Sequence, residues 1–138
     1  MSNFYEEMSQ RRKKAQEDGL YPDWYSTGGF QMFESKYKYQ SKGFKDQAER
    51  IAKTAAKHLK DKDLIEKYEK IFFDIIWKGW LSCSTPILAN MGTDRGMPVS
   101  CSGTVVEDSV AGFYESQLEN AVLTQEGFGT AVYLGDIR

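Results

Sequence analysis

Between Leu81 and Gly103 the chain reads LSCSTPILANMGTDRGMPVSCSG, and the rest of the sequence arranges itself around this stretch. It holds both cysteines, two of the three prolines and a run of small hydroxyl residues. A segment so dense in Ser, Thr, Gly and Pro cannot continue a long helix, so structure on either side must hold it in place. Loops held in this way carry functional side chains disproportionately often. The hydrophobic rhythm changes here too, with helical spacing before the stretch and strand, helix and strand after it.

Upstream, Met1 to Gly19 is strongly charged, with the basic block Arg11-Arg12-Lys13-Lys14, and reads as a solvated helix closed by Gly19, the alternative being an arm that docks a partner. From Leu20 to Gly43, Pro22, Gly28 and Gly29 interrupt any long helix. Trp24, Tyr25, Phe30, Phe33, Tyr37 and Tyr39 crowd the same segment. This pattern is read as an extended stretch packed on a neighbouring surface rather than as a stacking platform for nucleic acid. Phe44, Ala48, Ile51, Ala52, Ala55 and Leu59 recur at helical spacing and predict a helix over Phe44 to Leu59. His58 has no metal-ligating neighbours and is expected at the surface. Asp63, with Glu66 three residues on, predicts the capped start of a second helix running to about Trp80. Its wide stripe (Leu64, Tyr68, Ile71, Phe72, Phe73, Ile75, Ile76, Trp77) predicts burial on more than one side, with the two helices antiparallel.

Downstream, Pro86 to Asn90 reads as a short buried strand, Met91 to Pro98 as a turn, and Val99 to Glu107 as a strand with Cys101 and Gly103 on one face. Asp108 or Ser109 then caps a helix to about Gln125, with Val110, Phe113, Tyr114, Ala121 and Val122 facing inward. Thr130 to Leu134 completes the set as a further strand. A stop at Arg138 directly after that strand predicts that the sequence is the front part of something longer.

At 138 residues, 41% hydrophobic and 14% aromatic, the chain has enough apolar material for a core, which argues against global disorder. A net charge of −2 gives no general electrostatic reason to bind nucleic acid or an anionic membrane. No apolar run is long enough to span a bilayer, and MSNFYEEMSQRRKK has no apolar core of a secretory leader. Two cysteines without a CxxC pattern fit a reducing cytoplasm. A single histidine leaves little from which to build a metal site, and none is expected.

Among residues able to do chemistry, Cys101 stands out between Ser100 and Ser102, small polar neighbours that suit a redox thiol and a buried structural cysteine equally. Cys83 reads as packing. Ser84, Thr85 and Ser100 can donate to a phosphate or sugar, or serve as caps and turn formers. Gly127-Phe128-Gly129 fits either a close backbone approach to a ligand or a helix end. Asp108, at a helix start that favours anions, fits a ribose hydroxyl or an ordinary cap worth about 1 kcal/mol. Arg138 can pair with phosphate.

Four blocks in order, STPILANMGT, PVSCSG, EDS and GFGTAVYLGDIR, resemble the large catalytic subunit of aerobic (class I) ribonucleotide reductases of bacterial or bacteriophage type. The resemblance covers about Gly19 to Arg138. It implies an α/β fold in three parts: a charged segment over 1–19, a helical region over 20–80, and over 81–138 the first strands and helix of a ten-stranded α/β barrel, incomplete in this chain. It implies substrate contacts at Thr85, Ser100, Cys101 and Gly129, with Cys101 the first cysteine of a dithiol that reduces the ribose 2′ position. It further implies an effector site for deoxynucleotides or ATP at Asp108, Ser109, Val110 and Arg138.

The family's radical-bearing cysteine, second dithiol cysteine, catalytic glutamate and asparagine and C-terminal cysteine pair have no counterpart here, and Cys83 matches none of them. Nor does an ATP-cone precede the match. The resemblance therefore implies a fragment inactive alone, binding no cofactor itself. Its implied partners are the C-terminal remainder of the large subunit, a radical-generating metal-containing small subunit, a second large subunit, and thioredoxin or glutaredoxin as reductant. Two other readings compete: a non-catalytic fragment that binds deoxynucleotides or a partner, and a helical interaction module built on Phe44 to Trp80.

Overall fold

The computed structural model describes residues 2–138. In chain order it contains α1 (Ser2–Glu17), α2 (Thr27–Met32), a π-helical turn (Phe33–Tyr37), α3 (Phe44–Ala56), α4 (Lys62–Trp77), α5 (Thr85–Asn90), β1 (Cys101–Val105), α6 (Val110–Gln125) and β2 (Gly129–Tyr133). The first five helices and the turn form a helical body, and the last three elements form a strand–helix–strand unit.

The aromatic segment after α1 supplies the core. Tyr21, Phe30, Phe33 and Phe44 are buried together with Ala48, Ile51 and Ile76. Tyr21 meets Phe30 and Phe33 edge-on at centroid distances of 4.8 and 5.6 Å, and Phe33 meets Phe44 at 5.6 Å. Such edge-to-face pairs add to the gain from burial alone. The Tyr21 hydroxyl stays satisfied by donating to Glu34 Oε1 at 2.5 Å. Packing is thus the role of these rings, as expected, but the segment is not extended. Gly28 and Gly29 lie inside the first turn of α2, where the Ser26 hydroxyl accepts from the Gly29 amide at 3.1 Å. Glycine is costly in a helix interior but tolerable in a capped first turn. The helix then widens, with the Lys38 amide reaching back to the Phe33 carbonyl at 2.9 Å.

Helices α3 and α4 pack along each other, and α3 buries Phe44, Gln47, Ala48, Ile51, Ala52 and Ala56. The start of α4 differs from expectation. Asp61, not Asp63, is the cap, because its Oδ1 accepts from the amides of both Asp63 and Leu64, at 2.8 and 3.2 Å. The expected burial of α4 on several sides is also absent: Ile76 is its one buried residue, and Leu64 and Ile71 remain exposed. A tryptophan strap secures its far end, where Trp24 Nε1 donates to the Trp77 carbonyl at 2.8 Å.

The expected strand at Pro86 to Asn90 is instead helix α5. Pro86 sits in its first turn, where the missing amide costs nothing and the fixed φ already suits a helix. Among the described residues two strands therefore form, and they pair in parallel with Cys101 opposite Gly129 and Val105 opposite Tyr133. A parallel pair needs a long crossover, which α6 supplies.

Alternation along β1 follows expectation: Cys101, Gly103 and Val105 are exposed, while Thr104 and the following Val106 turn inward. The inward face of α6 does not. Val110 and Tyr114 are 77% and 70% exposed, and the buried positions are Gly112 and Ser116. The helix is seated by small residues because its backbone comes so close that a Cβ on Gly112 would stand 2.7 Å from Glu107 Cβ.

Truncating the core ring in Phe33→Ala should lower unfolding free energy by about 3–5 kcal/mol, read as a shift of the urea midpoint. Burial also pushes the Tyr25 hydroxyl up to about 12, against an ordinary value of about 10. Between those values the unfolded chain releases a proton that the folded chain keeps, so stability present below pH ~10 should fall as pH rises toward ~12. Urea midpoints measured at pH 9 and pH 11 should show that fall, and Tyr25→Phe should reduce it.

Candidate functional site

Thr85 opens α5 and is exposed to a cleft of about 650 Å³, which is also lined by Lys36, Tyr37, Asn90, Arg95 and Gly127. Its Oγ1 lies 3.5 Å from the Tyr37 hydroxyl, which comes from the π-helical turn. The loop after α5 is folded onto the same wall. The Asn90 amide donates to the Met97 carbonyl at 3.1 Å, and the Arg95 guanidinium lies over the Tyr39 ring at 5.3 Å. The cleft thus combines hydroxyls, an amide and two cations, Lys36 and Arg95, with Glu126 also in its lining.

Ser100, Cys101 and Gly129 meet at the open end of the sheet. The Gly129 amide donates to the Ser100 carbonyl at 2.7 Å, and a Cβ on Gly129 would lie 3.9 Å from Cys101 Sγ. Glycine at this position leaves the thiol uncovered. Cys101 is exposed in this chain. Cys83 is the packed cysteine: it is half-buried against the aromatic core, and burial pushes its thiol up. A raised thiol is a poorer source of thiolate, the reactive form.

The start of α6 gathers a third group. Ser109 is the cap, its hydroxyl accepting from the Gly112 amide at 3.0 Å. Asp108 does not cap; its Oδ2 instead accepts from Nε of Arg138, thirty residues on. The crossover that makes β1 and β2 parallel also returns Arg138 to the helix start. Asp108, Ser109, Val110 and Arg138 therefore cluster, with Val110 exposed beside them. Thr85 stands on the cleft, and no hydrogen bond joins it to the Ser100–Cys101–Gly129 group among the described residues.

Residues 24–96 match the family model described as "Ribonucleotide reductase, all-alpha domain". That match spans more than half of the chain. The chain belongs to the ribonucleotide reductase family. It is also similar to a Frog virus 3 (isolate Goorha) protein provisionally named a ribonucleoside-diphosphate reductase large subunit, at 35% identity over 65 residues. That alignment covers 47% of this chain and 11% of the viral protein. Among solved structures it is similar to the class Id ribonucleotide reductase alpha subunit of Actinobacillus ureae, with a TM-score of 0.72 and 31% identity. The likeness covers 84% of this chain and 22% of the Actinobacillus chain. The chain thus spans about a tenth of the Frog virus 3 protein and about a fifth of the Actinobacillus ureae chain.

Within this reductase family member the sequence reading missed Tyr37 as the neighbour of Thr85, and missed Gln47 and Arg50, which hold the end of α5. A signal existed for Gln47: a polar residue standing on the apolar stripe between Phe44 and Ile51. His58 is exposed, and among the described residues no group of His, Cys, Asp and Glu could hold a metal ion. No helix of the described residues is long and apolar enough to cross a membrane.

The difference between the two thiols is measurable. With iodoacetamide near neutral pH, one cysteine should alkylate rapidly and the second slowly. Mass spectrometry should place the fast label on Cys101, and Cys101→Ser should remove the fast phase.

Proposed function

We propose that this chain is part of a ribonucleoside-diphosphate reductase large subunit, acting with a complementary chain in the cytoplasm to make deoxyribonucleotides for DNA synthesis. The helices and the β1–α6–β2 unit open the ten-stranded α/β barrel whose other strands lie in the complementary chain. The observation that carries the reading is the register of the two strands, which sets an exposed Cys101 thiol opposite Gly129, beside the Ser100 carbonyl.

In this reading Thr85 and Ser100 bind the nucleotide through their hydroxyls, and the bare Gly129 backbone lets the ribose approach Cys101. A radical supplied through a metal-containing small subunit activates the 3′ carbon of the sugar. The 2′ hydroxyl leaves as water, and Cys101 with a second thiol gives two electrons and becomes a disulfide. Disulfide geometry requires that second sulfur close by. Cys83 is half-buried against the core and matches none of the family's cysteines, and in this reading the partner thiol comes from the complementary chain. Thioredoxin or glutaredoxin restores the dithiol. Asp108, Ser109, Val110 and Arg138 bind a deoxynucleotide or ATP effector at the start of α6, where free amides and a guanidinium suit a polyphosphate. A second large subunit completes the assembly.

One observation favours a second reading, a non-catalytic fragment that binds deoxynucleotides or a partner. Cys101 is the one exposed thiol among the described residues.

The test is reduction of cytidine diphosphate by the chain assembled with the remainder of a large subunit and the small subunit. Cys101→Ser should abolish turnover, while Arg138→Ala should weaken effector binding about tenfold by removing a charged partner. Undiminished output from the serine variant would rule the redox role out. Effector binding without any reduction in the assembled enzyme would select the second reading.

A further inference from the structure

Helix α5 carries Thr85, yet it is only six residues long. A helix so short is not stable by itself, and its last carbonyls have no donors of their own. Two are met locally: the Ile87 carbonyl by the Met91 amide at 3.2 Å, and the Asn90 carbonyl by the Thr93 amide at 2.9 Å. The other two are met by α3. Gln47 Nε2 donates to the Leu88 carbonyl at 2.5 Å, and Arg50 Nη2 reaches the Ala89 carbonyl at 3.5 Å. Arg50 Nε also donates to the Met91 carbonyl at 3.1 Å.

The same amide of Gln47 donates to the Tyr37 carbonyl at 2.7 Å, and the Tyr37 hydroxyl is the group that meets Thr85. Its oxygen accepts from Ser41 Oγ at 3.0 Å. Gln47 is fully buried, and neither it nor Arg50 lines the cleft. One amide out of reach of substrate therefore sets both members of the Tyr37–Thr85 pair.

We infer that Gln47, supported by Arg50, is a positioning residue for the Thr85 side of the substrate site. It acts through Tyr37 and α5 and touches no substrate. The inference rests on the proposed reading of Thr85 as a substrate contact. Small displacements of a binding group are costly, so the effect appears in substrate affinity.

The test is steady-state kinetics of the assembled reductase with cytidine diphosphate. Thr85→Val comes first and should raise KM about tenfold by removing a bound hydroxyl. Gln47→Met keeps the length and packing of the side chain but removes both donors. It should also raise KM about tenfold, change kcat by less than about threefold and leave effector affinity unchanged. Ile51→Val trims one buried methyl from the same helix and removes no hydrogen bond to α5, so it should leave KM at the parent value. Arg50→Lys, which keeps the charge and loses the fork, should raise KM about threefold and decides the matter if Gln47→Met does not fold. A raised KM in Thr85→Val with an unmoved KM in the Gln47 and Arg50 variants overturns the inference alone. An unmoved KM in Thr85→Val overturns the inference together with the reading of Thr85.

Discussion

A primary amide sealed from water must complete its hydrogen bonds inside the protein, and Gln47 completes its own on three separate segments. Its donors take carbonyls from the π-helical turn and from α5, and its acceptor takes the Ser41 hydroxyl from the loop before α3. Leaving such groups unpaired in a dry interior costs more than pairing them gains. The three segments therefore have one low-energy arrangement around α3, and the walls of the Thr85 cleft inherit it. The aromatic cluster supplies most of the burial on this side of the molecule, but burial is nondirectional and cannot by itself orient a six-residue helix.

The strand–helix–strand unit is organised differently. Few of its residues are buried: Thr104, Val106, Gly112, Ser116 and Phe128 do most of the packing. What orders it is backbone pairing and a close helix approach. The parallel register sets Cys101 opposite Gly129, and the crossover closes with Arg138 returned to Asp108. The groups at its two ends are thus positioned by main-chain geometry, whereas Thr85 is positioned by side chains of a neighbouring helix.

Family membership was legible from the sequence, because four short blocks in order are a specific signature, and the match over residues 24–96 with the likeness to an Actinobacillus alpha subunit agrees with it. The helices α3, α4 and α6 were legible from periodicity, and β1 and β2 from alternation and β-branched content. Besides the aromatic segment, which is helical rather than extended, and α4, which buries one residue, three further local readings went astray, each for a physical reason. The apolar run Pro86 to Asn90 reads as a strand, but Pro86 sits in the first turn of a helix, where its fixed φ fits. Asp61 captured the start of α4 ahead of Asp63. On α6, bulky apolar residues were expected to face inward, but closeness of approach selected Gly112 and Ser116 instead. Of the candidate site residues, the sequence suggested the set; which of them adjoin one another was not readable from it.

The linear sequence by itself determined the element types over most of the chain and the chemistry available at each position, because periodicity, capping residues and side-chain identity are local properties. Tertiary structure alone decided that Cys101 is open while Cys83 is packed, that Asp108 pairs with Arg138, and that Gln47 holds the end of α5. Each of these joins residues far apart in sequence, and such pairings follow from how the elements pack, which no local pattern encodes.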